Sequence, residues 1–107
     1  SIKDWFSYLQ MGLSYLAVND LDKALISLNF AHTFAVAEKP LVFKGLSICH
    51  EQLGEVAKSL DDAYRYAKID KSEESNHFYQ SLLYKYYPNI VIKKIQEKTF
   101  NLEIIIN

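Results

Sequence analysis

The strongest constraint on the fold is internal repetition in the amino-acid sequence. A shift of 35 residues places Tyr8 on Phe43 and on Phe78, so an aromatic residue recurs at one register. The same shift places Asn19-Asp20 on Gly54-Glu55, so a turn is predicted to recur together with the apolar pattern. Such a period is typical of helix pairs that stack, because each pair buries its apolar face only against a neighbour.

Apolar residues follow helical spacing along most of the chain. From Trp5 onward they recur at intervals of three and four residues, which indicates an amphipathic helix. Asp20 can cap a second helix, and Pro40 suits the first position of a third. Before Asn101 no stretch alternates with period two, so the sequence predicts an all-α fold of six helices. The remaining three helices are predicted from about Glu55 to Ile69, from the polar stretch 70–74 to Tyr86, and from Pro88 through Ile90 and Ile95.

These helices are predicted to form a single domain of three helix-turn-helix units, at about 4–38, 39–72 and 73–100. Small residues mark the expected helix crossings, at Gly12 and Ala24 in the first unit and at Ser47 and Ser59 in the second. The third unit has Leu82 where a small residue belongs, so it is predicted to be a degenerate terminal repeat. The alternative is a six-helix bundle whose spacing agrees by accident.

The tail 101–107 is rich in β-branched residues. Three structures are possible for this tail: an edge strand that pairs with another chain, an end that folds back into a groove, or a last helical turn that covers the core.

Three stacked helix pairs leave a concave surface that is lined by the first helix of each pair, and we expect the function there. An apolar and aromatic groove of this kind suits an extended or helical peptide. The alternative is that the groove is covered by the protein's own terminal segment or by a second copy of the chain. The predicted groove residues are Phe6, Leu9, Leu13 and Leu16 in the first unit, Leu41, Lys44, Ile48 and Glu51 in the second, and Tyr79, Leu83 and Tyr86 in the third.

Composition excludes several classes of partner. The chain has 12 Lys and Arg residues against 13 Asp and Glu residues, a formal charge of -1, and so lacks the basic footprint of a nucleic-acid-binding protein. No apolar run approaches the roughly 20 residues of a membrane span, and Asp4 lies where a secretory signal would be positive. With one cysteine an internal disulfide is excluded, and a reducing cytoplasm is expected.

Residues that could carry enzyme chemistry do not assemble in the sequence. His50-Glu51 matches the start of a helical zinc-protease motif, but the second His would fall at Gly54. Cys49 and His50 diverge by about 100° on a helix, so Cys49 is predicted to be a buried core residue. The acidic pairs 61–62 and 73–74 are predicted to be solvated faces or helix starts. We therefore expect no catalytic residue, cofactor or metal, and no enzymatic activity.

Two resemblances to known families add to this interpretation of the sequence. The pattern Tyr8-x2-Met11-Gly12-x2-Tyr15, followed by Ala24-x3-Leu28 and Ala31, resembles the tetratricopeptide repeat. That resemblance implies a short right-handed superhelix. The stretch 42–55 resembles the middle repeat of the small chaperones that escort type III secretion translocators, and the likeness extends over about Asp4 to Tyr86.

The chaperone resemblance implies a function. Those chaperones are cytoplasmic, and their apolar concave groove would bind an extended anchor segment of a secreted client and keep it unassembled. The sequence thus predicts a chaperone or adaptor whose partner is a protein or peptide. The alternative is a structural subunit of a permanent homo- or hetero-oligomeric complex with no releasable client.

Overall fold

The computed structural model describes residues 4–90, which are helical with short connections. No residue within that range belongs to a strand, so the predicted all-α fold class is confirmed there. Residues 88–90 begin a further helical turn. The predictions for the rest of the sixth helix and for the tail 101–107 fall outside the described residues. The five complete helices are α1 (Trp5–Ala17), α2 (Leu21–Phe34), α3 (Pro40–Gln52), α4 (Val56–Asp70) and α5 (Glu73–Tyr86).

Helix starts are fixed by capping residues that satisfy free backbone N–H groups. The Asp4 carboxylate accepts a hydrogen bond from the Phe6 N–H at 3.0 Å, and Asp20 accepts one from the Lys23 N–H. Pro40 occupies the first turn of α3, where its missing N–H costs nothing. Ser72 forms a capping box at the start of α5. The predicted starts of α2, α3 and α5 are thereby confirmed.

Consecutive helices pack side by side. The most extensive contacts lie within the pairs α1–α2 and α3–α4, and α3 also touches both helices of the first pair. The last complete helix, α5, packs on α4. The centre of the core therefore lies where α3 meets the first pair. Its buried residues are Leu9, Ala24, Leu28, Ala31, Val42, Phe43, Leu46, Cys49 and Tyr66.

The 35-residue period is visible in the backbone of the turns. Asn19 and Gly54 occupy equivalent positions and both have positive φ, at 59° and 80°. The hydrogen bonds match as well. The Asp20 N–H donates to the Tyr15 carbonyl at 2.9 Å, and the Glu55 N–H donates to the His50 carbonyl at 2.8 Å. Both positions thus require the left-handed conformation that glycine and asparagine tolerate best, which explains their residue types.

Small side chains set the distance between the helices of each pair. A Cβ atom on Gly12 would lie 2.6 Å from Leu28 Cγ, so glycine is required for α1 to cross α2 at this distance. At the equivalent crossing of α3 and α4, two buried serines bond reciprocally. Ser47 Oγ donates to the Ser59 carbonyl at 2.8 Å, and Ser59 Oγ donates to the Ser47 carbonyl at 2.7 Å. The two helix pairs therefore cross at equivalent positions, the first at a glycine and the second at two hydrogen-bonded serines.

The residues at the second crossing suggest a test of the close packing at the first. Gly12 and Leu28 correspond to Ser47 and Ala63 at the 35-residue shift. We expect Gly12→Ser to lower the free energy of unfolding by about 1–3 kcal/mol, because its Cβ would overlap the buried Leu28 side chain. In the Leu28→Ala background the same substitution should cost clearly less, since that change removes the overlapping atoms. Urea denaturation of the four proteins measures the coupling, and strictly additive losses would contradict the crossing model.

Candidate partner-binding groove

A groove of about 320 Å³ opens between α3 and α5. Within residues 4–90 the backbone of α3 approaches α1 closely but does not approach α5 in this way. Gly45 contributes to the packing of α3 on the first pair, since a Cβ there would lie 3.0 Å from Leu28 Cδ2 of α2. The groove is lined by Ile48 and Glu51 of α3 and by His77, Phe78, Ser81, Leu82 and Lys85 of α5.

The floor of the groove is apolar, and packing against α4 holds it in place. Leu82 is buried, and Phe78 packs edge-on against the buried Tyr66 ring of α4 at 5.5 Å between centroids. Ile48 is half-buried on the α3 side. His77 and Ser81 lie at the exposed edge, where Ser81 Oγ is 3.3 Å from His77 Nε2. This arrangement presents a hydrophobic surface to solvent without requiring α5 to move.

Charged groups bridge the groove at both ends. Lys44 Nζ lies 3.5 Å from Glu74 Oε1 near the start of both helices. Toward their ends, Glu51 Oε2 accepts hydrogen bonds from Lys85 Nζ at 2.7 Å and from the Tyr86 hydroxyl at 2.8 Å. The hydrogen bond from Lys85 is the main reason why the pKa of Glu51 is lowered. Because the charges are paired, the groove carries little net charge.

The site residues predicted from the sequence do not form one continuous surface. Ile48 and Glu51 line the groove, while Lys44 and Tyr86 contribute to the interactions at its two ends. Phe6, Leu13 and Leu41 are exposed, and Leu16 is half-buried against the core. Tyr79 and Leu83 lie on another surface, between α4 and α5.

Two predicted groove residues are buried in the packed helices. Leu9 is only 1% exposed, because it shares with Gly12 the face of α1 that α2 covers. Leu83 is 9% exposed beside α4. These two placements differ from the sequence prediction, since Leu9 lies inside the first helix pair and Leu83 lies on the side of α5 that faces α4.

The sequence reasoning missed the α5 side of the groove because it assigned the wrong face of α5. Ser75 and Leu82 are buried and Phe78 is half-buried, so this stripe faces the neighbouring helices. The capping box places Ser75 at the third position of α5. Three residues on from Ser75 lies Phe78, and four residues further lies Leu82, so the helical spacing is a signal from which the orientation could have been predicted.

A polar pair that the sequence reasoning did not predict ties α3 to α4. His50 Nδ1 lies 2.6 Å from Asp62 Oδ2, and both side chains are less than 15% exposed. Burial raises the pKa of Asp62, while the hydrogen bond from His50 opposes that rise. The prediction that Asp62 lies on a solvated face is therefore wrong, whereas Asp61 is exposed beside Arg65.

Cys49 is completely buried, as predicted from the sequence. Its thiol is 3.4 Å from the Leu21 carbonyl oxygen, so it can donate a weak hydrogen bond to α2. Burial is the main cause of the raised pKa of this thiol. Within residues 4–90, no group of three or more His, Cys, Asp or Glu residues is placed to hold a metal ion.

Comparison with known proteins does not identify relatives. No protein-family model matches the sequence, and neither characterised proteins nor solved structures include a significantly similar chain. In the part of the chain that the structure describes, every helix is too short or too polar to cross a lipid bilayer.

The lowered pKa of Glu51 predicts how its interactions respond to acid. A carboxylate with a lowered pKa in the folded state stabilises that state above its unfolded pKa, and this contribution is lost as the pH falls through the folded pKa. We expect wild type to be slightly more stable than Glu51→Gln at pH 7, the difference to shrink as the pH falls below the ordinary glutamate pKa of about 4.3, and to be lost once the pH is below the lowered pKa of the folded state. Thermal melts across this pH range measure it.

A matched control shows whether the pH-dependent stability difference comes from the groove carboxylate. Glu38 is exposed and has no ion pair within residues 4–90, so Glu38→Gln removes a carboxylate without removing such an interaction. A difference between wild type and Glu51→Gln that is independent of pH would contradict the role assigned to the ionised carboxylate.

Proposed function

We propose that this chain is a protein-interaction module that holds an apolar segment of a client protein in the groove between α3 and α5. The observation that carries the proposal is the preformed apolar floor of Ile48, Phe78 and Leu82, bounded by paired charges. Its volume of about 320 Å³ falls at the lower end of the range for ligand-binding pockets. A few apolar side chains from a peptide would fill it.

The electrostatics of the groove favour an uncharged segment. Lys44 faces Glu74 and Lys85 faces Glu51, so neither end offers a free charge to attract an acidic or basic ligand. Binding would then gain its free energy chiefly from apolar surface removed from water. Because the floor is already packed against α4, little ordering of α5 opposes binding.

A role as a chaperone or adaptor is part of the same proposal. It is supported by the resemblance to tetratricopeptide repeats and to the cytoplasmic chaperones of type III secretion translocators. In this role the groove would cover an apolar client segment that is prone to premature assembly. The client would bind reversibly, which distinguishes this function from that of a subunit in a permanent complex.

Substitution at the edge of the groove tests the proposal. Ser81 is exposed and lines the groove, so Ser81→Arg should place a long charged side chain over the apolar floor without removing core packing. Peptides selected on the wild-type protein from a phage-displayed random library provide the probe. We expect Ser81→Arg to weaken their binding at least about tenfold, as measured by fluorescence anisotropy.

Gln80→Arg is the matched control. Gln80 is also exposed on α5 but does not line the groove, and it is rotated by about 100° from Ser81. The control should bind the selected peptides with wild-type affinity. Equal binding by both variants would show that the peptides bind elsewhere and would contradict the groove assignment.

A further inference from the structure

A histidine lies in the groove between α3 and α5, and the proposed function does not yet use it. Among the described residues that line the groove, three are ionisable: Glu51, His77 and Lys85. The hydrogen bond between Lys85 and Glu51 lowers the pKa of the carboxyl and raises the pKa of the amine, so both groups stay charged and paired around neutral pH. Histidine side chains titrate near pH 6.5. Of these three groups, His77 is therefore the one that changes the net charge of the groove between about pH 5.5 and 7.5.

His77 occupies the exposed edge of the apolar floor. Its Nε2 atom lies 3.3 Å from Ser81 Oγ, one turn further along α5. Ile48 lines the groove from the α3 side, and Phe78 follows His77 in the floor itself. A neutral imidazole is a largely apolar ring with a polar tip, so it extends the apolar floor toward solvent. A protonated ring instead places a positive charge beside that floor.

The free protein accommodates a charged ring at this position. His77 is exposed, and Glu73 and Glu74 precede it by one helical turn on the same side of α5. Lys44 of α3 pairs with Glu74 at 3.5 Å, whereas Glu73 takes part in no ion pair within residues 4–90. The other helix packed on α5 is α4, which contributes no charged residue to the described lining of the groove. Water and carboxylates can therefore solvate the protonated ring when no client is bound.

We infer that protonation of His77 releases the client segment, so that the groove binds an uncharged apolar segment more tightly at neutral than at mildly acidic pH. The inference rests on the proposed function of the groove. A segment that covers the apolar floor also covers the ring at its edge and removes it from water. A neutral ring tolerates that loss, but a charged ring is desolvated beside a segment that offers it no carboxylate.

The affinity for one uncharged peptide at two pH values tests the inference. The probe is a peptide selected on the wild-type protein that contains no ionisable residue and has blocked ends. If the neutral ring alone permits binding, an ordinary histidine pKa of about 6.5 makes the Kd about tenfold higher at pH 5.5 than at pH 7.5. We expect an increase of about five- to tenfold by fluorescence anisotropy. An increase smaller than twofold would overturn the inference.

Two histidine variants assign the pH dependence to one side chain. His77→Gln removes the titrating ring, and its Kd should change less than twofold between the two pH values. His32→Gln is the matched control, because His32 is exposed on α2 and does not line the groove. It should keep the pH dependence of the wild type. His50 pairs with Asp62 outside the groove lining, so a pH dependence that arose there would persist in His77→Gln and would contradict the inference.

Controls separate this inference from the proposed function. Circular dichroism at both pH values establishes that each variant keeps its helical content. Weak binding by Ser81→Arg at pH 7.5, together with a wild-type affinity that does not depend on pH, would uphold the groove and overturn the role of His77. Wild-type affinity in Ser81→Arg would show that the peptide binds elsewhere, which overturns both the proposed function and the inference that rests on it.

Discussion

The close crossing of helices within each pair is the constraint on which the rest of the structure depends. At the first crossing Gly12 leaves space for Leu28, and at the second Ser47 and Ser59 satisfy each other's hydroxyl groups without a third partner. Both solutions allow two helices to approach, and within residues 4–90 no buried side-chain N or O atom is left without a hydrogen-bond partner. Because the two helices of the first pair lie close together, α3 can pack against both of them.

The groove arises where this close packing is not continued. Gly45 allows α3 to pack closely on Leu28 of α2, but within residues 4–90 the backbone of α5 does not approach α3 closely. Side chains rather than backbones therefore connect α3 to α5, through the pairs Lys44–Glu74 and Glu51–Lys85. These contacts are partly exposed and contribute little stability individually. They hold the two ends of the groove while its apolar centre stays open.

Local sequence signals were sufficient to predict the helices. Asp20 and Pro40 marked helix starts, and the equivalence of Asn19 and Gly54 located the turns, because capping and positive φ depend on neighbouring residues. The candidate site was only partly predictable. The capping box and the spacing after Ser75 indicate the orientation of α5, but the His50–Asp62 pair and the edge-on contact of Phe78 with Tyr66 depend on how consecutive helices pack. Helical spacing alone does not specify those contacts.

The two apolar surfaces differ in a way that bears on their use. The groove between α3 and α5 is bridged at each end by opposite charges, which limits how far a bound segment can extend along it. Among the described residues that line the surface between α4 and α5, no such bridge is present. A short, reversible contact suits the bridged groove.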